Sequence, residues 1–381
     1  MRHADVLIAG GGQAAVQLAA SLRQGRFAGS IMIINDEPGL PCQRPPLSKA
    51  YLLGQIDEAA LPLRPESFFA AQSIELLAST RVTAIDRAAQ RVALSSGESI
   101  GYGHLALATG ARNREIPGMA GALGLRTLAD ARVLRDALGT ARSVAIIGAG
   151  FIGLEFAAVA AARGLAVTVI EAAPRALLRG VSAPMAEALV ARHRAWGSRL
   201  LFGSAAETVM ADLVLVAIGV IPNTELAEAA GLACANGIVV DATLLTADPA
   251  ISAMGDCASF PTGSGRVRLE SVQNAADHAR CIAERLLGRP APYAKVPWFW
   301  SDQGALKLQI AGLATGHDQT VIRGDADSDA LSVFCFAGDR LLAVESLNRP
   351  AEHMAARALL ARPHGLTPAQ AADPGIDLRS V

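Results

Sequence analysis

Two short glycine-rich turns are the first places where this chain could do chemistry. Gly10-Gly11-Gly12-Gln13-Ala14-Ala15 follows the apolar run "DVLIA", and Gly148-Ala149-Gly150-Phe151-Ile152-Gly153 follows "SVAII". Between a strand and a helix, such a turn receives the pyrophosphate of a dinucleotide. The first glycine (Gly10 or Gly148) makes the tight turn, and the second (Gly12 or Gly150) lets the backbone approach the phosphates. The small third residue, Ala15 or Gly153, keeps the helix close to its strand, and the helix N-terminus faces the phosphate charge. An acid stands near the end of each following strand. Asp36, beside Glu37, comes about 26 residues into its unit and Glu171 about 23 into its own, close to where a carboxylate meets ribose hydroxyls. Glu171 would accept from a 2′-hydroxyl and repel a 2′-phosphate, which favours NADH over NADPH. Arg175 is near enough to soften that preference. Either turn alone could be an unliganded loop.

A third candidate is a single lysine. In "LPCQRPPLSKAYL", residues 40–52, Pro45 and Pro46 stand between Arg44 and Lys49. They fix φ at about −65° and are expected to keep any helix from starting before Leu47. Lys49 is then either a placed cation or an ordinary solvated residue capping a helix. Two further patches bear on the same chemistry: the strand-to-turn passage "LALATGA" with Thr109 and Gly110, and "LLTADPAISAMGDCA", where Thr246 precedes an apolar strand ending at Gly255-Asp256. The second is similar to the distal flavin signature of flavoproteins that bind two dinucleotides. There Asp256 would accept from the ribityl chain.

The elements that must hold these residues are legible in outline. The 381 residues exceed one ordinary core, so two or three domains are expected. Half the residues are apolar, much of that from Gly and Ala, which suits closely packed α/β layers. "DVLIA", the alanine-rich stretch to Arg23 and "SIMIIND" read as β-turn-α-β, and "SVAIIGAGFIGLEFAAVAAARGLAVTVIEA" repeats that grammar. From about Pro297 the pattern becomes alternating strands with a helix near Pro350, an antiparallel α+β module. No apolar run approaches the ~18–20 residues of a membrane span, and "MRHAD" shows no signal-peptide pattern. A cytoplasmic protein is expected. The net charge of −1 gives no pull toward nucleic acid or an anionic membrane. The five scattered cysteines (Cys42, Cys234, Cys257, Cys281, Cys335) exclude a close-paired metal, disulfide or dithiol motif and a bound iron–sulfur cluster.

"RPPLSKAYL", "GAGFIGLEFAA", "ISAMGDCA", "ESVQNA" and "PWFWSDQ" together resemble the FAD-dependent NADH:ferredoxin reductases of bacterial cytochrome P450 and ring-hydroxylating dioxygenase systems, the putidaredoxin reductase type. The likeness runs from about Asp5 to Leu378. It implies an α/β fold with two Rossmann-like dinucleotide-binding domains of the glutathione reductase kind plus a C-terminal α+β domain. The boundaries expected are 1–112 with 237–296 for FAD, 113–236 for NAD, and 297–381 for the C-terminal domain. The resemblance places Ala14, Asp36, Arg44, Lys49, Val82, Thr109, Gly110, Arg126, Asp256, Val272 and Trp298 around FAD, and Glu155, Glu171 and Gly219 around NAD. It implies that Lys49 stands beside flavin N5 and that Glu155 pairs with it and touches the nicotinamide carboxamide. A fixed cation there favours the reduced flavin. The implied partner is a small [2Fe–2S] ferredoxin or rubredoxin-like carrier, with the chain a monomer or weak homodimer. Trp298 and Trp300 are candidates for covering the flavin or for plain packing. Arg64, Arg280 and Lys307 are candidates for a basic rim facing an acidic carrier, or ordinary surface charges.

Two departures keep other readings open. Cys42 stands where these reductases carry tyrosine or histidine, which suggests an NADH oxidase or peroxidase using a redox cysteine. Against that, Cys42 lies in a proline-flanked loop with no "SxxxCG" setting. The NAD domain is also shortened near 203–211, where relatives spend two further strands, so an exposed edge and lower stability are expected there. A flavin-binding signalling or scaffold protein is a third reading, and it would need a targeting or basic segment that the sequence does not display.

Overall fold

The computed structural model describes residues 2–119, 121–204, 210–263, 265–325, 328–363 and 365–381. The chain groups into two compact units. The first comprises Met1–Gln43, Glu58–Arg112 and Val220–Lys295, and the second Arg44–Asp57, Asn113–Gly219 and Val296–Val381. The segment carrying Lys49 thus groups with the second unit.

In the first unit the strands Ile74–Leu77, Ile31–Ile34, His3–Ala9 and Ser99–Leu107 lie side by side in that order, all parallel, with Val6 opposite Ile31 on one side and His104 on the other. Val6 through Ala9 are buried without alternation, as strands covered by helices on both faces must be. Ile251–Ala253 pairs in parallel with the end of Ser99–Leu107, so the "ISA" stretch joins the first sheet. Helix Gln13–Gln24 buries Ala15, Leu18, Ala19 and Leu22 completely. Its alanines permit the close approach that the third glycine-motif position requires.

The second unit carries a parallel sheet in the order Arg199–Phe202, Ala166–Glu171, Ser143–Ile147, Leu213–Val216. The shortening expected near 203–211 falls mainly on residues 205–209, outside the described residues; beside it Met210 is 99% exposed. The unit also holds an antiparallel sheet, ordered Trp298–Gln303, Leu306–Gly312, Arg340–Leu347, Leu331–Ala337, Gln319–Gly324. Helix Pro350–Leu360 buries Ala355, Ala356 and Leu359 with Phe334 and Phe336 in one core. Among the described residues no helix is long and apolar enough to cross a membrane, and no group of three or more His, Cys, Asp or Glu could hold a metal ion.

One local expectation is corrected. Pro45 and Pro46 do not delay a helix until Leu47, because they are the first residues of a 3-10 turn, Pro45–Ser48. A proline's fixed φ suits a helix start, where its missing N–H would have no partner anyway.

Two buried charges tie this unit together. Glu345, fully buried on its strand, accepts from the Ser182 amide (2.8 Å) and hydroxyl (2.5 Å), just before helix Ala183–Ala195. Burial pushes its carboxyl above the usual range. Arg323, 5% exposed, pairs with Glu352 at 3.2 Å and donates to the carbonyls of Asp373, Pro374 (3.1 Å) and Ile376 (2.7 Å). One guanidinium thereby fixes the C-terminal tail. Arg323→Met should cost about 2–4 kcal/mol, the scale of orphaning buried acceptors. Limited proteolysis should then cut the tail after about residue 370, whereas the unaltered protein resists.

Candidate active site

The geometry of both glycine turns follows from crowding. Gly10 has φ +118° and an added Cβ would lie 2.2 Å from the Ala108 carbonyl oxygen; Gly148 has φ +105° and the same clash at 2.4 Å with Ala217. Neither position admits another residue without rebuilding the turn. At Gly153 a Cβ would come 2.1 Å from the Gly148 carbonyl oxygen. Gly12 has nothing within 4 Å, and Gly150 only the Ala217 oxygen at 3.8 Å. Helices Gln13–Gln24 and Phe151–Ala162 start from these two glycines with no side-chain cap and no acid in the first turn. Helices Leu128–Leu138 and Pro368–Ala372, by contrast, carry full capping boxes at Thr127 and Thr367. Open amides facing free space at a helix N-terminus suit a phosphate. The residues present therefore fit two dinucleotides, one at each turn.

In the first unit Ala14 and Ala15 are buried in the opening turn of their helix. Asp36 lies just past strand Ile31–Ile34, its exposed carboxylate 3.1 Å from Arg81. Val82 opens strand Val82–Asp86 opposite Leu94. Thr109 and Gly110 are held by Asn223: the Thr109 hydroxyl donates to the Asn223 carbonyl (2.7 Å), the Asn223 amide side chain donates back to the Thr109 carbonyl (2.8 Å), and the Asn223 N–H reaches the Gly110 carbonyl (3.0 Å). Asp256 sits in the 3-10 turn Gly255–Cys257, and Arg268 donates to its carbonyl at 3.1 Å. Val272 starts helix Val272–Leu286 behind the Ser271 cap. Cys42 forms a bridge with Pro62, and its thiol donates to the Leu40 carbonyl at 3.2 Å. Arg280 pairs with Asp277 at 2.7 Å, and the Arg64 guanidinium lies 5.3 Å from the Phe68 ring centre.

In the second unit Glu171 turns its carboxylate onto its own glycine loop, accepting from the amides of Ala149 and Ala173, each at 2.8 Å. Arg175 spends its guanidinium on the carbonyls of Ala176 (3.0 Å), Leu178 (3.2 Å) and Val181 (2.9 Å). Gly219, at φ +99°, accepts from the Arg114 amide at 2.9 Å. Arg44 donates to the Arg126 carbonyl at 2.6 Å, and the Arg126 amide donates to Asp130 at 3.0 Å. Trp298 packs 5.6 Å from Trp300, with Arg357 4.5 Å from its ring centre.

Lys49 and Glu155 meet in this unit. Lys49 follows the Pro45–Ser48 turn and Glu155 lies in helix Phe151–Ala162, 3% exposed; Nζ and Oε2 are 2.8 Å apart. Lys49 also donates to the Pro45 carbonyl at 3.3 Å. Ser48 donates to Glu155 Oε2 at 2.5 Å and Ser301 to Oε1 at 2.7 Å. A carboxylate this deeply buried needs such donors, because burial withdraws it from bulk solvent.

Family models agree with this architecture. Residues 4–279 match the pyridine nucleotide-disulphide oxidoreductase model, and residues 298–381 match the reductase C-terminal model. The chain belongs to the pyridine nucleotide-disulphide oxidoreductase family. Rhodocoxin reductase of Rhodococcus erythropolis is 47% identical over 98% of this chain and 93% of that protein. Among solved structures, the ferredoxin reductase for the CYP199A2 system of Rhodopseudomonas palustris superposes with a TM-score of 0.95 at 49% identity, covering 98% of both chains. The covalent putidaredoxin reductase–putidaredoxin complex gives 0.94 at 38% identity, covering 100% of this chain and 97% of that one. FAD and a pyridine nucleotide are the cofactors of this family.

Several residues at these sites escape sequence reading. Ser48 and Ser301 sit within quoted motifs and Asn223 in none, and nothing in their spacing says where their side chains point. His278 is fully buried, and its Nδ1 accepts the Gly255 amide at 3.2 Å, beside Asp256. Burial lowers its pKa to about 3. Unfolded histidine protonates near 6.5, so as pH falls from about 6.5 toward 3 the unfolded chain binds a proton that the folded one refuses. Folding weakens across that window, by ~2 kcal/mol from this group at pH 5. His278→Gln keeps an acceptor for Gly255 and removes the titration, so its denaturation midpoint should fall less than the parent's between pH 7 and pH 5.

Proposed function

We propose that this protein passes electrons from NADH through FAD to a small [2Fe–2S] ferredoxin or rubredoxin-like carrier that feeds a cytochrome P450 or ring-hydroxylating dioxygenase. The observation that carries the reading is the pairing of Lys49 with the buried Glu155, set in a chain that matches rhodocoxin reductase nearly end to end. FAD, when bound, supplies a centre that takes electrons in pairs from NADH and releases them singly to an iron–sulfur acceptor.

The chain's own residues supply binding, orientation and a fixed charge. The amides of the Gly10–Gly12 and Gly148–Gly150 turns would hold the two pyrophosphates. Lys49 and Glu155 are the catalytic residues. The ammonium is a preorganised positive charge for the electrons arriving from NADH, and the carboxylate fixes its place. Because Arg175 is engaged with three loop carbonyls and Glu171 is an acid, neither offers a free cation to a 2′-phosphate, which favours NADH over NADPH. We assign FAD to 1–112 with 237–296, NADH to 113–236, and the C-terminal domain to 297–381, and place the protein in the cytoplasm.

A Cys42-based oxidase or peroxidase is disfavoured by the geometry. The thiol donates to the Leu40 carbonyl, and Cys42 bridges Pro62 in an extended segment instead of opening a helix.

The test is direct. The purified protein should carry a flavin spectrum, and NADH should drive reduction of ferricyanide and of a [2Fe–2S] ferredoxin faster than NADPH does. Flavin bleaching by NADH without ferredoxin turnover would turn the assignment toward the oxidase. Lys49→Met and Glu155→Gln should each slow flavin bleaching at saturating NADH by about 10²-fold, on the scale of removing one preorganised charge or donor. Cys42→Ser should leave dye reduction unchanged.

A further inference from the structure

Glu155 has more donors than its pairing with Lys49 requires, and one of them heads a chain. Strand Trp298–Gln303 alternates its side chains, so Trp298 and Trp300 share one face while Phe299, Ser301 and Gln303 share the other. The Phe299 ring lies 4.6 Å from that of Phe151, which puts this second face against the helix carrying Glu155. Ser301 and Gln303 are both fully buried, where apolar residues would have been cheaper to desolvate.

Their hydrogen bonds run in one direction. Gln303 Nε2 donates to Ser301 Oγ at 3.3 Å, and Ser301 donates to Glu155 Oε1 at 2.7 Å. That leaves Gln303 Oε1 as the acceptor facing His193 Nε2 at 2.9 Å. Because Gln303 Oε1 can only accept, Nε2 of the fully buried His193 is the donor, and desolvation holds that imidazole below the usual histidine range. Its Nδ1 has no partner among the described residues. Every donor from His193 onward points toward Glu155.

We propose that His193, Gln303 and Ser301 form a positioning relay that orients Glu155 and, through it, fixes the Lys49 ammonium. Strand Trp298–Gln303 then serves the reaction through its Phe299–Ser301–Gln303 face. A set of polar residues present only to satisfy one another would close on itself; this one ends on a carboxylate that already has a cation. Aligned donors polarise one another, so the last bond to the anion gains from the two behind it. The inference rests on the assignment of Lys49 and Glu155 to the reaction.

The chain's lysines make the test clean, since Lys49 is accompanied only by Lys295 and Lys307, both exposed. The flavin-loaded protein and its Ser301→Ala and Gln303→Met variants are treated briefly with sulfo-NHS-acetate, and acetylation at each lysine is read by peptide mass spectrometry. Ser301→Ala should raise labelling of Lys49 relative to Lys295 and Lys307 by about tenfold, the scale of losing one hydrogen bond to a charged group. It should also slow flavin bleaching at saturating NADH by about tenfold, with a smaller change in KM, while thermal unfolding shifts little. Gln303→Met should move both readouts the same way by less, and carries the test alone if Ser301→Ala does not fold. Unchanged Lys49 labelling in the variants overturns the relay. Raised labelling with unchanged bleaching overturns its service to the reaction. A parent protein that NADH does not bleach overturns the functional assignment instead, and the labelling still decides the relay.

Discussion

Glu155 is the one charged residue in helix Phe151–Ala162, and that helix is buried over most of its length. A carboxylate so placed is costly to bury unless the protein supplies the donors that water would have supplied. Much of the second unit can be read as the answer to that demand. Lys49 and Ser48 come from the Pro45–Ser48 turn, and Ser301 from the antiparallel sheet. A buried ion pair adds little net stability when desolvation is counted. What it does provide is position. Either charge without the other would be left unsatisfied, so both are held where they are.

The two nucleotide turns apply the opposite rule. Three helix starts are closed by a side chain, at Thr127, Ser271 and Thr367. At Gly12 and Gly150 the chain leaves the start open and keeps acids out of the first turn. An uncapped helix start is a cost unless a ligand's phosphate satisfies the amides. The glycines before them are held by crowding against the neighbouring strands' carbonyls, so loop shape and sheet packing are one constraint.

Much of this was legible because it repeats locally. Continuous apolar runs ending in Gly-x-Gly signalled parallel strands under helices, and the alternating stretch after Pro297 signalled the antiparallel sheet. The prolines before Lys49 signalled a fixed backbone, though not that they would themselves start a 3-10 turn. Glu171 was visible as an acid after a strand, yet its bonds to Ala149 and Ala173 were not, since they depend on how the strand end meets the glycine loop. In "PWFWSDQ" the tryptophans attract notice, whereas the serine and glutamine on the alternate face are the ones aimed at Glu155.

By itself, then, the sequence determined the repeated dinucleotide grammar, the acids that follow it and the presence of a restrained lysine, because each is a pattern of neighbours along the chain. Tertiary structure alone decided which side chains share a buried anion. Ser301 is 146 positions from Glu155, and His193 is 110 from Gln303. Partners that distant are chosen by packing and by the need to satisfy every buried charge, and no local spacing records that choice.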